Sequence, residues 1–106
     1  MATPGTQPVT VVITCAIRPE KLDFARQALA DVIREVRARE PSCRGIRVHA
    51  AADDPARWLI VEQWDSQALF SGPHMSQPHM QAFLKTAETF LQDPADFAFW
   101  HETLAA

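Results

Sequence analysis

The order of apolar periodicities in this 106-residue chain predicts an α+β domain of pattern β-α-β-β-α-β, an antiparallel sheet carrying its helices on one face. Three observations carry the prediction. An early run alternates every second residue, two long stretches repeat apolar residues every three or four positions, and two β-rich runs flank an Asp-Asp-Pro turn between them. A chain of this length builds one modest core with little room for a separate cofactor domain. The expected division is a disordered leader over residues 1–8 and one domain over residues 9–106.

In the first run Val9, Val11, Ile13, Cys15 and Ile17 alternate with Thr10, Val12, Thr14 and Ala16, the mark of a strand. Its second side is only mildly polar, so both sheet faces are expected to be covered. From Pro19 to Glu40 the residues Leu22, Ala25, Leu29, Val32, Ile33 and Val36 fall at helical spacing. Pro19 suits the first turn, and Pro41 ends the helix. Eight of the ten basic residues lie between Arg18 and Arg47, interspersed with acids, which reads as a solvated face. Gly45 to Ala51 and Arg57 to Trp64 read as a hairpin with Ala52 to Ala56 as its turn.

Asp65 or Ser66 can cap a short helix over Gln67 to Ser71, with Gly72 and Pro73 as its stop. Pro78 then opens a second long helix whose stripe is Met80, Phe83, Leu84, Ala87, Phe90 and Leu91, ended by Asp93 and Pro94. Asp96 to Glu102 alternates again as the closing strand. This order is the ferredoxin-like arrangement. The sheet face turned away from the helices would meet water in a lone chain, yet neither parity of the strands is consistently polar. A second copy packed sheet to sheet is the simplest cover, so a homodimer is expected.

Composition narrows the partners. A formal charge of −3 and a single Lys after Arg57 give no broad basic surface for nucleic acid or anionic membrane. No apolar run approaches bilayer length, and Met1 to Pro8 lacks a basic-then-apolar signal pattern, so a cytoplasmic location is expected. Cys15 and Cys43 match no CxxC or zinc spacing and read as reduced thiols. Gly5, Gly45 and Gly72 are the only glycines, and none lies in a phosphate-cradling motif. His74 and His79, five apart, would diverge by about 140° on one helix, and no third ligand lies near in sequence, so no metal is expected. Ser66, Ser71 and Ser76 have cap and turn explanations, and no nucleophile elbow is present.

What remains is an aromatic and imidazole cluster: Trp58, Glu62 and Trp64 on one parity of a strand, then Phe70, His74, His79 and Phe83. Glu62 lies between two indoles, where burial would raise its pKa; pairing with an Arg or capping a nearby backbone is the alternative. His74, placed between the short and long helices, reads either as a general base or as a capping imidazole. Phe83 and Phe90 serve a core stripe or a pocket wall.

The segment Glu62-Gln63-Trp64-Asp65-Ser66, Ala68-Leu69, His74 and Ser76-Gln77-Pro78-His79-Met80-Gln81-Ala82-Phe83 resembles the signature of the antibiotic biosynthesis monooxygenase (ABM) domain family. The resemblance extends over almost the whole chain after Val9. It implies ferredoxin-like domains paired into a dimeric α+β barrel, and oxidation of a quinol or phenol by dioxygen without flavin, metal or haem. His74 is then the base or anion-orienting donor, and Glu62 sets an imidazole's orientation or protonation. Trp64, Phe70, His79 and Phe83 would hold the small aromatic substrate. Gln77 departs from the family's usual Ser or Thr, and the chain has no Tyr to orient a phenol. Ala82 and its neighbours offer no imidazole where the haem-degrading branch carries one, which disfavours haem degradation. Isomerisation on the same scaffold is the alternative enzyme reading; a non-catalytic dimeric small-molecule binder or stress-associated protein is the alternative of another class.

Overall fold

A computed structural model describes residues 6–106 and sets the elements in the predicted order. They are β1 (Val9–Ala16), α1 (Leu22–Arg39), β2 (Cys43–Ala51), β3 (Asp54–Trp64), α2 (Gln67–Leu69), α3 (Pro78–Ala87) and β4 (Asp96–Trp100). A 3-10 turn over Pro19–Lys21 leads into α1, and a π-type turn over Phe70–His74 follows α2. Residues 1–5 of the expected leader lie outside the described residues. Pro8 is tied down, its carbonyl accepting from His101 Nδ1 at 2.9 Å.

The four strands pair antiparallel in the order β2-β3-β1-β4, the ferredoxin-like sheet. Register fixes which parity is internal. Val11 lies opposite Glu62 and Phe99, and Ile13 opposite Ile60 and Phe97, so these side chains share one face. That face joins Ala25, Leu29, Val32 and Val36 of α1, and Met80 and Ala87 of α3, in one core. The opposite face carries Thr10, Val12, Val61, Ala98 and Trp100, together with Leu59. Leu59 is 38% exposed and Trp100 58% exposed.

Local chemistry explains several boundaries and corrects others. Pro78 takes the first turn of α3 as predicted, and Ser66 Oγ caps α2 by accepting from the Leu69 N–H at 3.1 Å. The hairpin turn is tighter than Ala52–Ala56: only Ala52 and Asp53 turn, and Asp54 and Pro55 begin β3. Pro55 falls outside the paired rungs of β3, so its missing N–H costs no ladder bond. Asp54 Oδ1 accepts from the Ala56 N–H at 2.9 Å, closing the bend locally.

The largest correction falls at Gly72 and Pro73, which do not stop the chain's helical winding. The backbone widens into the π-type turn, whose looser winding accommodates a proline without an N–H. His74 thereby turns inward to 2% exposure and joins the packed interior. At the other end α3 stops at Ala87, short of the predicted Leu91. The N–H groups of Phe90 and Leu91 still bond the Ala87 carbonyl, at 3.1 and 3.0 Å, which keeps Phe90 in the core.

Candidate active site

Between the helices and the inner sheet face lies a cavity of about 370 Å³, within the size range of small-molecule sites. Ile13 and Trp58 of the sheet, Leu29 of α1 and Phe83 of α3 are among its apolar walls. Phe70 and His74 enter from the π-type turn, and Glu62 from β3. Among the described residues its titratable lining is Cys15, Glu62, His74 and Glu88, with no Lys or Arg. Burial raises the Cys15 thiol pKa, which keeps it protonated and a poor nucleophile.

His74 is held from behind. Its Nδ1 lies 3.0 Å from both carboxylate oxygens of Glu40, the residue that caps the end of α1. Glu40 is itself 8% exposed, and its Oε2 also meets His79 Nε2 at 2.7 Å. A carboxylate only accepts, so Nδ1 carries the His74 proton and Nε2 presents its lone pair. No side-chain atom among the described residues is both occluded and unpartnered. Nε2 makes no hydrogen bond to a described residue, and His74 is one of the residues that line the cavity. Burial lowers the His74 pKa, and the Glu40 hydrogen bond and charge oppose that shift. The imidazole is therefore neutral and able to accept a proton near pH 7.

The ring is also fixed by packing. Its centroid lies 4.3 Å from that of Trp64 and 5.0 Å from that of Phe70. Trp64 Nε1 donates to Glu62 Oε1 at 2.8 Å, so one indole contacts both Glu62 and His74. Glu62 is 8% exposed, and burial pushes its carboxyl up to about 6, with the Trp64 bond opposing and the Glu40 charge adding.

Of the cluster singled out from sequence, Trp58, Glu62, Phe70, His74 and Phe83 line the cavity; Trp64 stands behind Glu62 and His74, and His79 reaches the site only through Glu40. Glu62 meets neither an Arg nor a backbone cap, and the carboxylate that sets the imidazoles is Glu40. The expected divergence of His74 and His79 fails for a geometric reason. They do not share one helix, and the break at Gln77, whose backbone is extended, lets both reach Glu40. Glu40 is the residue that sequence reasoning missed. The signal was present, for Glu40 follows Val36 by four and so continues the buried stripe of α1. Among the described residues no group of three or more His, Cys, Asp or Glu side chains is arranged to hold a metal ion.

Known structures share this architecture. Rv0793 from Mycobacterium tuberculosis superposes with a TM-score of 0.82 at 23% identity, covering 94% of this chain and 99% of that one. PA3566 from Pseudomonas aeruginosa gives 0.80 at 21% identity, covering 94% and 98%. A crystal structure of an antibiotic biosynthesis monooxygenase gives 0.81 at 17% identity, covering 91% and 99%. At these identities the likeness establishes the fold. No curated protein matches the chain. The sequence model for antibiotic biosynthesis monooxygenase matches residues 8–86, a span from β1 through most of α3 that holds Glu40, Glu62, His74 and His79, and the chain belongs to that ABM family.

Proposed function

We propose that the protein is a cofactor-independent monooxygenase acting on a small electron-rich aromatic, a quinol or phenol. The observation that carries this reading is His74: its Nδ1 is anchored on buried Glu40, its Nε2 has no hydrogen-bond partner among the described residues, and the residue lines a mostly apolar cavity. A base so held removes a phenolic proton, and the resulting anion is electron-rich enough to reduce dioxygen directly. The apolar walls exclude water from that anion, and Phe70 and Phe83 offer ring faces for stacking. His74 and Glu62 are the catalytic groups of the proposal. Trp64 and His79 act through them as positioning residues.

The same pair also fits an isomerase, since a carboxyl with pKa about 6 and a neutral imidazole lining one cavity can remove a proton at one position and return it at another. Oxygen consumption separates the two. Oxygen uptake against a panel of quinols and phenols, with stoichiometric product, supports the oxygenase; rearranged product without uptake overturns it. Ligand-induced thermal stabilisation with neither outcome points to a non-catalytic binder. The exposed sheet face around Leu59, Val61 and Trp100 supports a homodimer packed sheet against sheet. In the described residues no helix is long and apolar enough to cross a membrane.

A further inference from the structure

We infer that Trp58 sets the length of ligand the cavity accepts, because this residue is the partition between the hairpin end of the cavity and two clefts at the surface. The inference rests on the proposed function only in taking this cavity as the ligand site, and it concerns size, whichever chemistry follows. Glu62 and Trp58 both line the cavity from β3. They share one side of the strand, four residues apart, so at about 3.4 Å per residue their rows stand roughly 14 Å from each other.

Three hollows meet at Trp58. The internal cavity of about 370 Å³ shares it with a cleft of about 550 Å³ that has Thr14, Arg57 and Asp93 in its wall, and with a groove of about 380 Å³ beside Arg26, Ala30 and Val48. Among the described residues Trp58 alone lines all three. The sheet register explains why one side chain carries the partition. Ala50 on β2 and Cys15 on β1 pair with Trp58, so the indole is flanked by two small residues and is the only large side chain of its row. The next row on that face holds Val48, Ile60, Ile13 and Phe97, all of them large. Shortening residue 58 therefore leaves nothing in its own row to replace the wall.

The wall is also held in place. Trp58 is 6% exposed, and its Nε1 donates to the Pro55 carbonyl at 2.9 Å, which ties the indole to the start of β3. Its side chain makes no hydrogen bond to Glu40, Glu62 or His74. A ligand shorter than the span between the two rows gains with each apolar group it buries. A longer one meets a fixed ring and has to displace it, breaking the Pro55 bond and overpacking the core around it.

The test measures binding of 4-methylphenol, 4-butylphenol and 4-octylphenol to the full chain by equilibrium dialysis at pH 7.5. The extended octyl compound is longer than the span between the rows of Glu62 and Trp58. In wild type, affinity should rise at least about tenfold from methyl to butyl, each buried methylene being worth roughly fourfold, and fall at least about tenfold from butyl to octyl. Trp58→Leu should raise the octyl-to-butyl affinity ratio at least about tenfold, whereas a general loosening of the core would weaken all three compounds together and leave that ratio in place. If Trp58→Leu fails to fold by circular dichroism, Trp58→Phe, with a smaller ring and without the Pro55 bond, should raise the ratio at least about threefold. If neither folds, the wild-type series decides. Octyl binding as tight as butyl in wild type, no detectable binding of any of the three, or a folded variant with an unchanged ratio overturns the inference. Oxygen uptake is scored separately. A length limit that moves with residue 58, without turnover of any quinol or phenol, sinks the oxygenase reading and leaves this one standing, whereas turnover with no length limit does the reverse.

Discussion

Replacing Glu40 by Gln tests the centre of the site, because one buried carboxylate serves two imidazoles. In the wild type its oxygens lie 3.0 Å from His74 Nδ1 and 2.7 Å from His79 Nε2, and both it and His74 are under 10% exposed. The amide fills the same volume but offers one acceptor; its NH₂ faces the second ring N–H. One buried donor is left unsatisfied, at about 1–3 kcal/mol, and the surviving bond loses charge assistance worth roughly 1 kcal/mol more. The expected loss is about 2–4 kcal/mol, or roughly 10–25 °C in Tm for a domain of this size. Urea denaturation at pH 7 measures it, provided the slope with denaturant is unchanged. A second readout isolates the electrostatic role. Glu40 raises the His74 pKa against the burial that lowers it, so its removal lets that pKa fall further. The rising limb of kcat/KM against pH should then move to lower pH, with activity reduced about tenfold or more. A Glu40→Gln protein that unfolds within about 0.5 kcal/mol of wild type and keeps its pH profile would refute the argued coupling.

Other outcomes follow from the same geometry. His74→Ala removes a buried ring packed on Trp64 and Phe70, so stability should fall by about 2–4 kcal/mol by denaturation, alongside a loss of about 10² to 10⁴ in kcat/KM on any substrate turned over. The Glu62 carboxyl ordinarily titrates near 4.5 and here near 6, so the folded state binds the extra proton between those values and stability from this group falls as pH rises through that window. A rise from 4.5 to about 6 corresponds to about 2 kcal/mol. Wild type should therefore gain about that much relative to Glu62→Gln between pH 7.5 and 4.5, and denaturation curves that stay parallel across this range would contradict the assigned burial. His74 acts in the opposite sense: its lowered pKa leaves the unfolded chain binding the proton first, so acidification below about 6.5 destabilises the fold, an effect His74→Gln should abolish in the same titration. On the sheet's exposed face, Leu59→Lys should convert the proposed dimer to monomer by light scattering while the far-ultraviolet spectrum is retained; a wild type already monomeric at micromolar concentration would remove that proposal.

The elements of this fold are written in local patterns because each is governed by neighbours two to four residues away. Val9 to Ala16 alternates, so only a strand can bury Val9, Val11 and Ile13 together, and Ala25, Leu29, Val32 and Val36 share a face only on a helix. Pro19, Pro78 and Ser66 mark helix starts through the backbone donor each lacks or satisfies. Glu62 between Trp58 and Trp64 was likewise legible, since a strand returns the same side every second residue. The site's organisation was decided by tertiary structure alone. Glu40 meets His74 and His79 across 34 and 39 residues of chain, a distance over which no periodicity carries information. The aim of both imidazoles depends on the widened turn at Phe70–His74 and the extended backbone at Gln77, where the cumulative rotation of the chain departs from any regular helix. A regular period fixes where side chains point within an element; at an irregular junction only the packing of the elements on either side does so, and there Trp64, Phe70 and Glu40 close around His74.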